Sequence, residues 1–352
     1  MRSADFHNQI SPGCAKSKRT AGSVNMNSSL LQNVSFVRPE YFYISGFSGI
    51  PFVKYYFIFL FVTYFIAVFG NSFVLIMIMT DRSLHVPKYM AIFNLALADF
   101  GETNALIPNL IKTFLFDSQY ISYNACLANM FFVFFFISVQ SLTLVVLAYD
   151  RYIAIRLPLR YHAIVNNSLM SAALMAVWSF STLVVTMMVS LITRLSFCKT
   201  NEVKSYFCDH GPIYTTACND NTVNSVMAKL WTVLFIYGPL IAVTVSYIGI
   251  FIELTKITTW EGRLKALKTC FSHMFLVGIF LFPILSTYIA ALTFTLHPNA
   301  RIINTSLSSA IPPMVNPIIY VLNTKEFKDF IVRMLKRRSK VMVHVLANET
   351  NL

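Results

Sequence analysis

One stretch of the chain decides its fold: Leu147-Ala-Tyr-Asp-Arg-Tyr-Ile-Ala-Ile-Arg-Leu-Pro-Leu-Arg-Tyr161. It closes an apolar run from Met130 to Ala148, which suits a helix that crosses a membrane. An acid and a base, Asp150 and Arg151, stand side by side where the run ends. Charge at the end of a membrane helix costs little free energy, because the side chain reaches interfacial water. The pair by itself therefore indicates only an ordinary cytoplasmic flank.

The composition is that of a membrane protein. Of the 352 residues, 56% are hydrophobic and 12% are charged, whereas soluble domains carry about 25% charged residues. A spanning helix needs roughly 20 mostly apolar residues. Seven segments qualify: 52–79, 89–113, 124–152, 169–193, 224–254, 264–292 and 301–322. The sequence predicts an all-α membrane protein, with a seven-helix transmembrane domain at 51–323, a tail at 1–50, and an amphipathic helix and tail at 324–352.

The net charge of +13 would suggest a nucleic-acid partner on a soluble protein. Here the position of the charges matters more. With the N-terminus outside, most Lys and Arg residues close to a span fall in the inner segments, the largest group between Lys325 and Lys340. The positive-inside rule then predicts an extracellular N-terminus and a cytoplasmic C-terminus. We expect no nucleic-acid partner.

The N-terminal tail contains no apolar core of the signal-peptide type, so the first span is expected to act as the insertion signal. The sequons at Asn27 and Asn33 lie in this outer tail and can accept glycans. Beyond the last span, apolar side chains recur at helical spacing opposite a basic face. They are Phe327, Phe330, Ile331, Met334 and Leu335. This pattern predicts an eighth helix that lies on membrane lipids.

Six cysteines are present, and Cys126, Cys198, Cys208 and Cys218 fall on the predicted outer side, where disulfides persist. Four cysteines allow three pairings, and the residues alone leave that choice open. Polar residues inside the spans are rare. Asp99 is therefore a functional candidate, although a structural hydrogen bond would also explain it.

Several motifs together resemble those of rhodopsin-like G-protein-coupled receptors, and within them the odorant receptors. The stretch quoted first resembles Met-Ala-Tyr-Asp-Arg-Tyr-Val-Ala-Ile-Cys-x-Pro-Leu-x-Tyr, with Leu147 in place of Met and Arg156 in place of Cys. The most discriminating motif is Lys265-Ala-Leu-Lys-Thr-Cys-Phe-Ser-His273, which keeps every fixed position of the odorant-receptor signature. Leu84-His-Val-Pro-Lys-Tyr89 and Pro313-Met-Val-Asn-Pro-Ile-Ile-Tyr320 also match, with Lys88 as a departure. The resemblance covers roughly 45–340.

The resemblance implies a receptor that binds a small odorant in the outer half of the bundle and activates a stimulatory heterotrimeric G protein, raising cyclic AMP. It implies a plasma-membrane protein in the cilia of olfactory sensory neurons. It selects the disulfides Cys126–Cys208 and Cys198–Cys218, leaving Cys14 and Cys270 free. No cofactor is implied. An enzyme is not predicted, because the sequence offers no metal-ligand cluster and no nucleophile with a nearby base.

The resemblance also assigns roles to residues in the inner half. The residues that it connects with activation and G-protein coupling are Asp150, Arg151, Tyr152, Tyr247, Lys265, His273, Asn316, Pro317 and Tyr320. A central polar cluster would contain Asn71, Asp99, Gln140 and Asn316, and receptors of this class often hold a sodium ion at the matching Asp. Leu281 stands where the usual toggle Trp would be, which leaves Phe280 and Phe282 as substitutes.

The ligand pocket is predicted by counting from Cys126 along the third span at helical spacing. The candidate lining residues are Met130, Val133, Phe134, Ile137, Ser138, Asp209, His210, Trp231, Thr232, Thr287 and Tyr288. Each could instead pack helix against helix. We expect an apolar wall with a few hydroxyls and no fixed cation, since no Lys or Arg lies between Phe282 and Leu292, and a protonated His210 would be the exception. The expected ligand is a mostly apolar, uncharged odorant.

Two other functions remain open. A rhodopsin-like receptor for an endogenous ligand in non-olfactory tissue would have the same motifs. A transporter or channel would require inverted repeats or charged residues along the bundle. Amine receptors place an Asp seven residues after the third-helix cysteine, where this chain has Val133, and opsins need a lysine in helix seven, where 302–322 has none.

Overall fold

The computed structural model describes residues 37–47, 52–115, 118–198, 200–293, 298–324 and 326–333. Within these residues, seven long helices form one bundle. They are Val53–Thr80 (α1), Pro87–Leu115 (α2), Tyr123–Arg156 (α3), Asn167–Ser190 (α4), Thr222–Lys256 (α5), Trp260–Thr293 (α6) and Pro298–Asn323 (α7). All seven predicted spans coincide with these helices to within about one turn. The prediction of a seven-helix membrane fold is confirmed.

Helix α3 lies at the centre of the bundle, in contact with α2, α4, α5 and α6, while α1 packs against α2 and α7. Large apolar side chains such as Phe69, Met175 and Phe251 point outward and are exposed. An exposed apolar surface of this extent suits lipid and not water. By length and hydropathy alone, α1, α3, α5 and the segment Asn167–Arg194 are apolar enough to cross a membrane, among the described residues.

Short elements close one end of the bundle. The strands Tyr41–Ile44 (β1), Tyr120–Ser122 (β2) and Glu202–Val203 (β3) form a sheet in the order β2-β1-β3, with β1 antiparallel to β2 and parallel to β3. Gly46 follows β1 and lies so close to the loop after β3 that an added Cβ would sit 2.6 Å from the Ser205 carbonyl oxygen. The sequence predicted no strand here, because two to four residues are too few to show alternation.

The remaining short elements connect the long helices. They are the helical turns Tyr161–Ile164 and His210–Thr215 and the 3₁₀ segments Arg82–Leu84, Pro158–Arg160 and Leu191–Arg194. Helix α5 also contains a π-helical stretch, Val233–Tyr237. We call the end with the sheet and the disulfides the disulfide end, and the opposite end the Arg151 end.

A short eighth helix at 326–333 (α8) lies at the Arg151 end. Phe327 is fully buried and its ring stacks on Tyr89 at 5.5 Å between centroids. Lys328 and Arg333 lie on the exposed side, and Arg333 binds the Asp81 carboxylate at 2.7 Å. Helix α8 is therefore held to the bundle by one buried ring and one exposed ion pair. Met334 and Leu335, which were predicted to extend its apolar face, lie outside the described residues.

Replacing Phe327 with Ala should lower the thermal stability of the purified protein. Removing a buried Phe typically costs about 3–5 kcal/mol, because it leaves a cavity. Val332→Ala is the matched control, since Val332 lies on the same helix and is 47% exposed. Thermal unfolding in detergent measures both variants. An equal loss of melting temperature in the two variants would contradict the packing of Phe327 on Tyr89.

Candidate functional site

The acid and base of the opening motif are paired at the Arg151 end. Arg151 Nη2 lies 3.4 Å from Asp150 Oδ2, and the Tyr161 hydroxyl donates to Asp150 Oδ1 at 2.6 Å. The Asp150 side chain is 1% exposed and that of Arg151 is 14% exposed. One hydrogen bond and one ion pair therefore hold the buried carboxylate, and the guanidinium keeps a route to solvent. Tyr152 packs against Gly249 of α5, where an added Cβ would meet its ring at 2.6 Å.

A second contact at this end joins α5 to α6. The Tyr247 hydroxyl and His273 Nδ1 are hydrogen-bonded at 2.6 Å, and their rings stack at 5.8 Å between centroids. The Tyr247 hydroxyl also lies 3.4 Å from the Cys270 carbonyl oxygen, to which it donates. The side chain of Lys265 lies outside the described residues. Tyr247 and His273, singled out in separate motifs, thus meet at one point between two helices.

The proline-rich end of α7 is tied to α1 and α2. Asn316 Nδ2 donates to Asp99 Oδ2 at 2.7 Å, and Asn71 Nδ2 donates to the Pro313 carbonyl oxygen at 2.8 Å. Pro317 packs so tightly on Gly70 that an added Cβ there would lie 3.0 Å from its ring. Tyr320 is buried in the apolar core beside these groups. Asn316 therefore contacts Asp99 directly, whereas Asn71 binds the backbone of α7 three residues before Asn316.

Gln140 does not join Asp99, and that part of the cluster prediction is wrong. Its amide Nε2 donates to Glu102 Oε2 at 2.6 Å. Glu102 is 2% exposed and lies three residues after Asp99, on the same face of α2. The sequence analysis missed Glu102. Its helical spacing from Asp99 was the signal that could have found it.

A cavity of about 280 Å³ lies between the helices towards the disulfide end. Residues from α2, α3, α5, α6 and α7 line it, together with the loop that follows β3. They are Glu102, Phe134, Ile137, Ser205, Tyr206, Phe207, Asp209, Trp231, Ile236, Phe280, Arg301, Ile302, Thr305, Ser308 and Ser309. The volume suits a small molecule, and the wall combines aromatic rings with a few polar groups, as ligand sites commonly do.

Four of the predicted pocket residues line this cavity: Phe134, Ile137, Asp209 and Trp231. Other predictions for the cavity wall were wrong, because the structure gives those side chains different partners. Met130 and Val133 are buried in apolar clusters with neighbouring elements, and the Thr232 hydroxyl donates to the Ala228 carbonyl oxygen at 2.9 Å. A residue that faces the inside of the bundle therefore need not line a cavity, because neighbouring side chains pack against most of the inward face of a helix.

Two further predicted residues lie elsewhere, and two more are not described. Ser138 is fully buried behind the cavity wall, and His210 is 2% exposed in the loop and does not line the cavity. Burial lowers the pKa of His210 to about 4, so the ring is neutral at neutral pH and supplies no cation. The side chains of Thr287 and Tyr288 lie outside the described residues.

The predicted absence of a fixed cation from the wall is wrong, because Arg301 is part of it. Glu102, Asp209 and Arg301 all line the cavity. Burial raises the pKa of Asp209, and the nearby Arg301 guanidinium opposes that shift. Arg301 lies in the first turn of α7 and also donates to the Lys204 carbonyl oxygen at 3.1 Å. The predicted absence of a cation rested on α6 between Phe282 and Leu292, whereas Arg301 stands at the start of α7.

The two substitutes for the toggle Trp have different positions. Phe280 is 5% exposed and lines the cavity, whereas Phe282 is 72% exposed on the outside of α6. Phe282 is therefore wrong as a candidate, because two residues along a helix turn a side chain by about 200°. Of these two residues, Phe280 is the one that lines the cavity.

The loop that roofs the cavity is fixed by both disulfides. Cys126 is bonded to Cys208, and Cys198 to Cys218, the pairings that the resemblance implied. Asn129 adds a third link, because its Nδ2 donates to the Ala105 carbonyl oxygen at 2.8 Å and its Oδ1 accepts from the Cys208 backbone N–H at 3.2 Å. Cys270 is a buried free thiol on α6. Cys14, Asn27 and Asn33 lie outside the described residues.

Ser138 positions the ring of Trp231 in the cavity wall. Trp231 Nε1 donates to Ser138 Oγ at 3.0 Å. Ser138→Ala leaves that buried N–H without its acceptor, a loss of about 1–3 kcal/mol. We expect the agonist EC50 to rise about threefold to tenfold, and Trp231→Phe to add little once Ser138 is Ala. Dose–response curves of the two single variants and the double variant measure this, with Thr182→Ala on the outside of α4 as the control. Fully additive shifts would contradict the coupling.

Comparison with known proteins agrees with the motifs and the fold. A family model of olfactory receptors matches residues 60–338. Human olfactory receptor 1M1 and mouse olfactory receptor 1E16 are each 32% identical over 280 residues, 79% of this chain and 88% of theirs. Human olfactory receptor 52Z1P is 34% identical over 271 residues, 76% of this chain and 90% of its own. Members of this family are signalling receptors and not enzymes. The chain belongs to the olfactory receptor family, the odorant-type G-protein-coupled receptors that pass several times through the plasma membrane.

Proposed function

We propose that this receptor binds a small odorant in the cavity of about 280 Å³. The observation that carries the proposal is the composition of the cavity wall. Phe134, Ile137 and Trp231 provide apolar area, while the loop held by Cys208 covers the cavity. A site of this kind binds a small molecule largely by burying apolar area, with the polar groups of the wall fixing its orientation.

The disulfide end faces the outside of the cell. Disulfides persist in oxidising compartments, which supports an outer position for Cys126–Cys208 and Cys198–Cys218. The Arg151 end, with α8 and the basic residues after it, then faces the cytoplasm, in agreement with the positive-inside rule. The domain division at 1–50, 51–323 and 324–352 follows from this orientation. The cilia of olfactory sensory neurons are the expected location.

Two separate polar contacts, one helical turn apart on α2, lie between the cavity and Pro317 of α7. Glu102 lines the cavity and binds Gln140, while Asp99, one turn along α2, binds Asn316 beside Pro317. A ligand that changes the packing at Glu102 can therefore bias the position of α7. A ligand shifts a two-state equilibrium only through its different affinity for the two states, so the proposal requires the ligand to contact the wall at Glu102 differently in the two states.

In the active state α6 moves outward at the Arg151 end, and Arg151 leaves Asp150 to contact a stimulatory heterotrimeric G protein. The Tyr247–His273 hydrogen bond holds α5 to α6 at rest, so it has to rearrange in this motion. Tyr152 and Tyr320 lie close to the same opening. Lys265 belongs to the same cytoplasmic surface by its place in the sequence. Nucleotide exchange on the G protein then raises cyclic AMP.

A panel of volatile molecules tested on cells that express the receptor examines this function, with cyclic AMP as the readout. Ile137→Trp should fill the cavity and abolish responses to every agonist without reducing surface delivery. Phe132→Trp is the matched control, because Phe132 is on the same helix but 48% exposed on its outer side. Normal responses from Ile137→Trp would show that agonists bind elsewhere.

A further inference from the structure

The cavity wall contains a buried acid whose described partners are all neutral. Glu102 is 2% exposed; Gln140 Nε2 donates to its Oε2 at 2.6 Å, and the Ser309 hydroxyl forms a further hydrogen bond. Within the described part of the chain, the salt bridges do not include Glu102. A buried carboxylate without a cation is costly, because neutral donors replace only part of its hydration.

The other two charged groups in the wall, Asp209 and Arg301, both lie at the loop side of the cavity. Asp209 and Arg301 are close enough for the guanidinium to oppose the burial-driven rise in the pKa of Asp209. Arg301 also donates to the Lys204 carbonyl oxygen, near the loop and away from α2. The three charged groups in the wall thus comprise two carboxylates and one cation. Among the described residues of the wall, Arg301 is the one cation and lies beside the loop that contains Asp209, so no described cation is a partner of Glu102.

We infer that the ligand of this cavity is a small apolar molecule that carries a protonated amine, and that Glu102 is its counter-ion. The inference rests on the proposed function, because it names the ligand class of the same site. The amine would lie at Glu102, and the apolar body would pack against Phe134, Ile137, Trp231 and Phe280. Val133 occupies the position at which amine receptors place their acid, so the acid in this chain comes from α2 instead of α3.

A carboxylic acid is disfavoured at this end of the cavity. It would place a second negative charge beside Glu102, and like charges in a low-dielectric site repel strongly. An alcohol would avoid that repulsion and would leave Glu102 without a cation. Among ligands with the same hydrocarbon body, the protonated amine gains a charge-assisted hydrogen bond that the alcohol lacks.

The test is a matched panel on the wild-type receptor: hexylamine, hexanol and hexanoic acid, and the corresponding phenylethyl compounds. We expect each amine to be about tenfold or more potent than its alcohol. A fluorinated amine that is mostly uncharged at neutral pH should lose that advantage. This comparison needs no variant, so it holds even if changes at Glu102 impair folding.

Variants then locate the counter-ion. Glu102→Gln should make each amine about as potent as its alcohol, whereas Glu102→Asp should keep part of the preference for the amine. Using the ratio of EC50 values within each variant cancels any effect on coupling, because both ligands signal through the same receptor. Glu40→Gln is the control, since Glu40 is exposed at the disulfide end and does not line the cavity. The wild-type ratio should persist in that control.

Equal potency of amine and alcohol would overturn the inference, as would stronger responses to the acids or an unchanged ratio in Glu102→Gln. In each of those cases the proposed function would still stand if alcohols or acids activate the wild-type receptor and Ile137→Trp abolishes that activation. Failure of every small molecule in a broad panel on a surface-expressed receptor would instead remove the proposed function, and with it the inference.

Discussion

Arg151→Ala should reduce agonist-driven cyclic AMP to background while the receptor still reaches the cell surface. The Arg151 side chain is 14% exposed and pairs with its neighbour Asp150, so few core contacts are lost with it. What disappears is the cation that the G protein is expected to contact. Surface labelling and cyclic AMP are measured on the same cells, so that signal is expressed per receptor.

Arg160→Ala is the control for this experiment, because Arg160 is an exposed cation close by at the same end of the bundle. It should keep most of the response. If Arg151→Ala responds as fully as wild type at equal surface density, Arg151 has no part in coupling. Loss of surface receptor in Arg151→Ala would show that its role is structural.

Cys208→Ser should abolish the response to every agonist. The Cys126–Cys208 bond joins residues 82 apart in sequence and fixes the loop that roofs the cavity. Losing such a bond typically costs about 2–4 kcal/mol of folding free energy, and longer closed loops lose more. Cys218→Ser opens a loop of only 20 residues and should be milder. Agonist dose–response and surface delivery measure both, with Cys14→Ser as the control.

If Cys208→Ser retains wild-type potency, the roof of the cavity does not depend on this disulfide. If Cys218→Ser lowers the agonist response as much as Cys208→Ser does, the shape of the site depends on the loop closed by Cys198–Cys218 and not on the bond that joins Cys208 to α3.

The seven helices could be predicted from the sequence because each is a long apolar run, and apolar length is the main requirement for crossing a lipid bilayer. The small sheet could not be predicted. Its strands are two to four residues long, and its pairing brings Tyr43 next to Glu202, far apart in the chain. Such contacts depend on the assembled bundle and leave no periodic signal in the sequence.

The Arg151 end was predicted better than the cavity, because its residues lie in motifs with fixed spacing. Cavity residues such as Glu102 and Arg301 come from different helices, and their meeting depends on how those helices rotate and pack. Gln140 illustrates the limit: its inward direction was predicted, but its partner was taken to be Asp99 and is Glu102. A difference of one helical turn in α2 separates the two acids.

The central claim is that occupation of the cavity opens the Arg151 end to a stimulatory G protein. Nucleotide exchange on purified stimulatory G protein, driven by purified receptor in lipid nanodiscs, tests this claim most directly. An agonist from the panel should accelerate exchange with wild-type receptor, and should fail with both Ile137→Trp and Arg151→Ala. Acceleration of equal size in either variant, or wild-type receptor that binds agonist without driving exchange, would contradict the account.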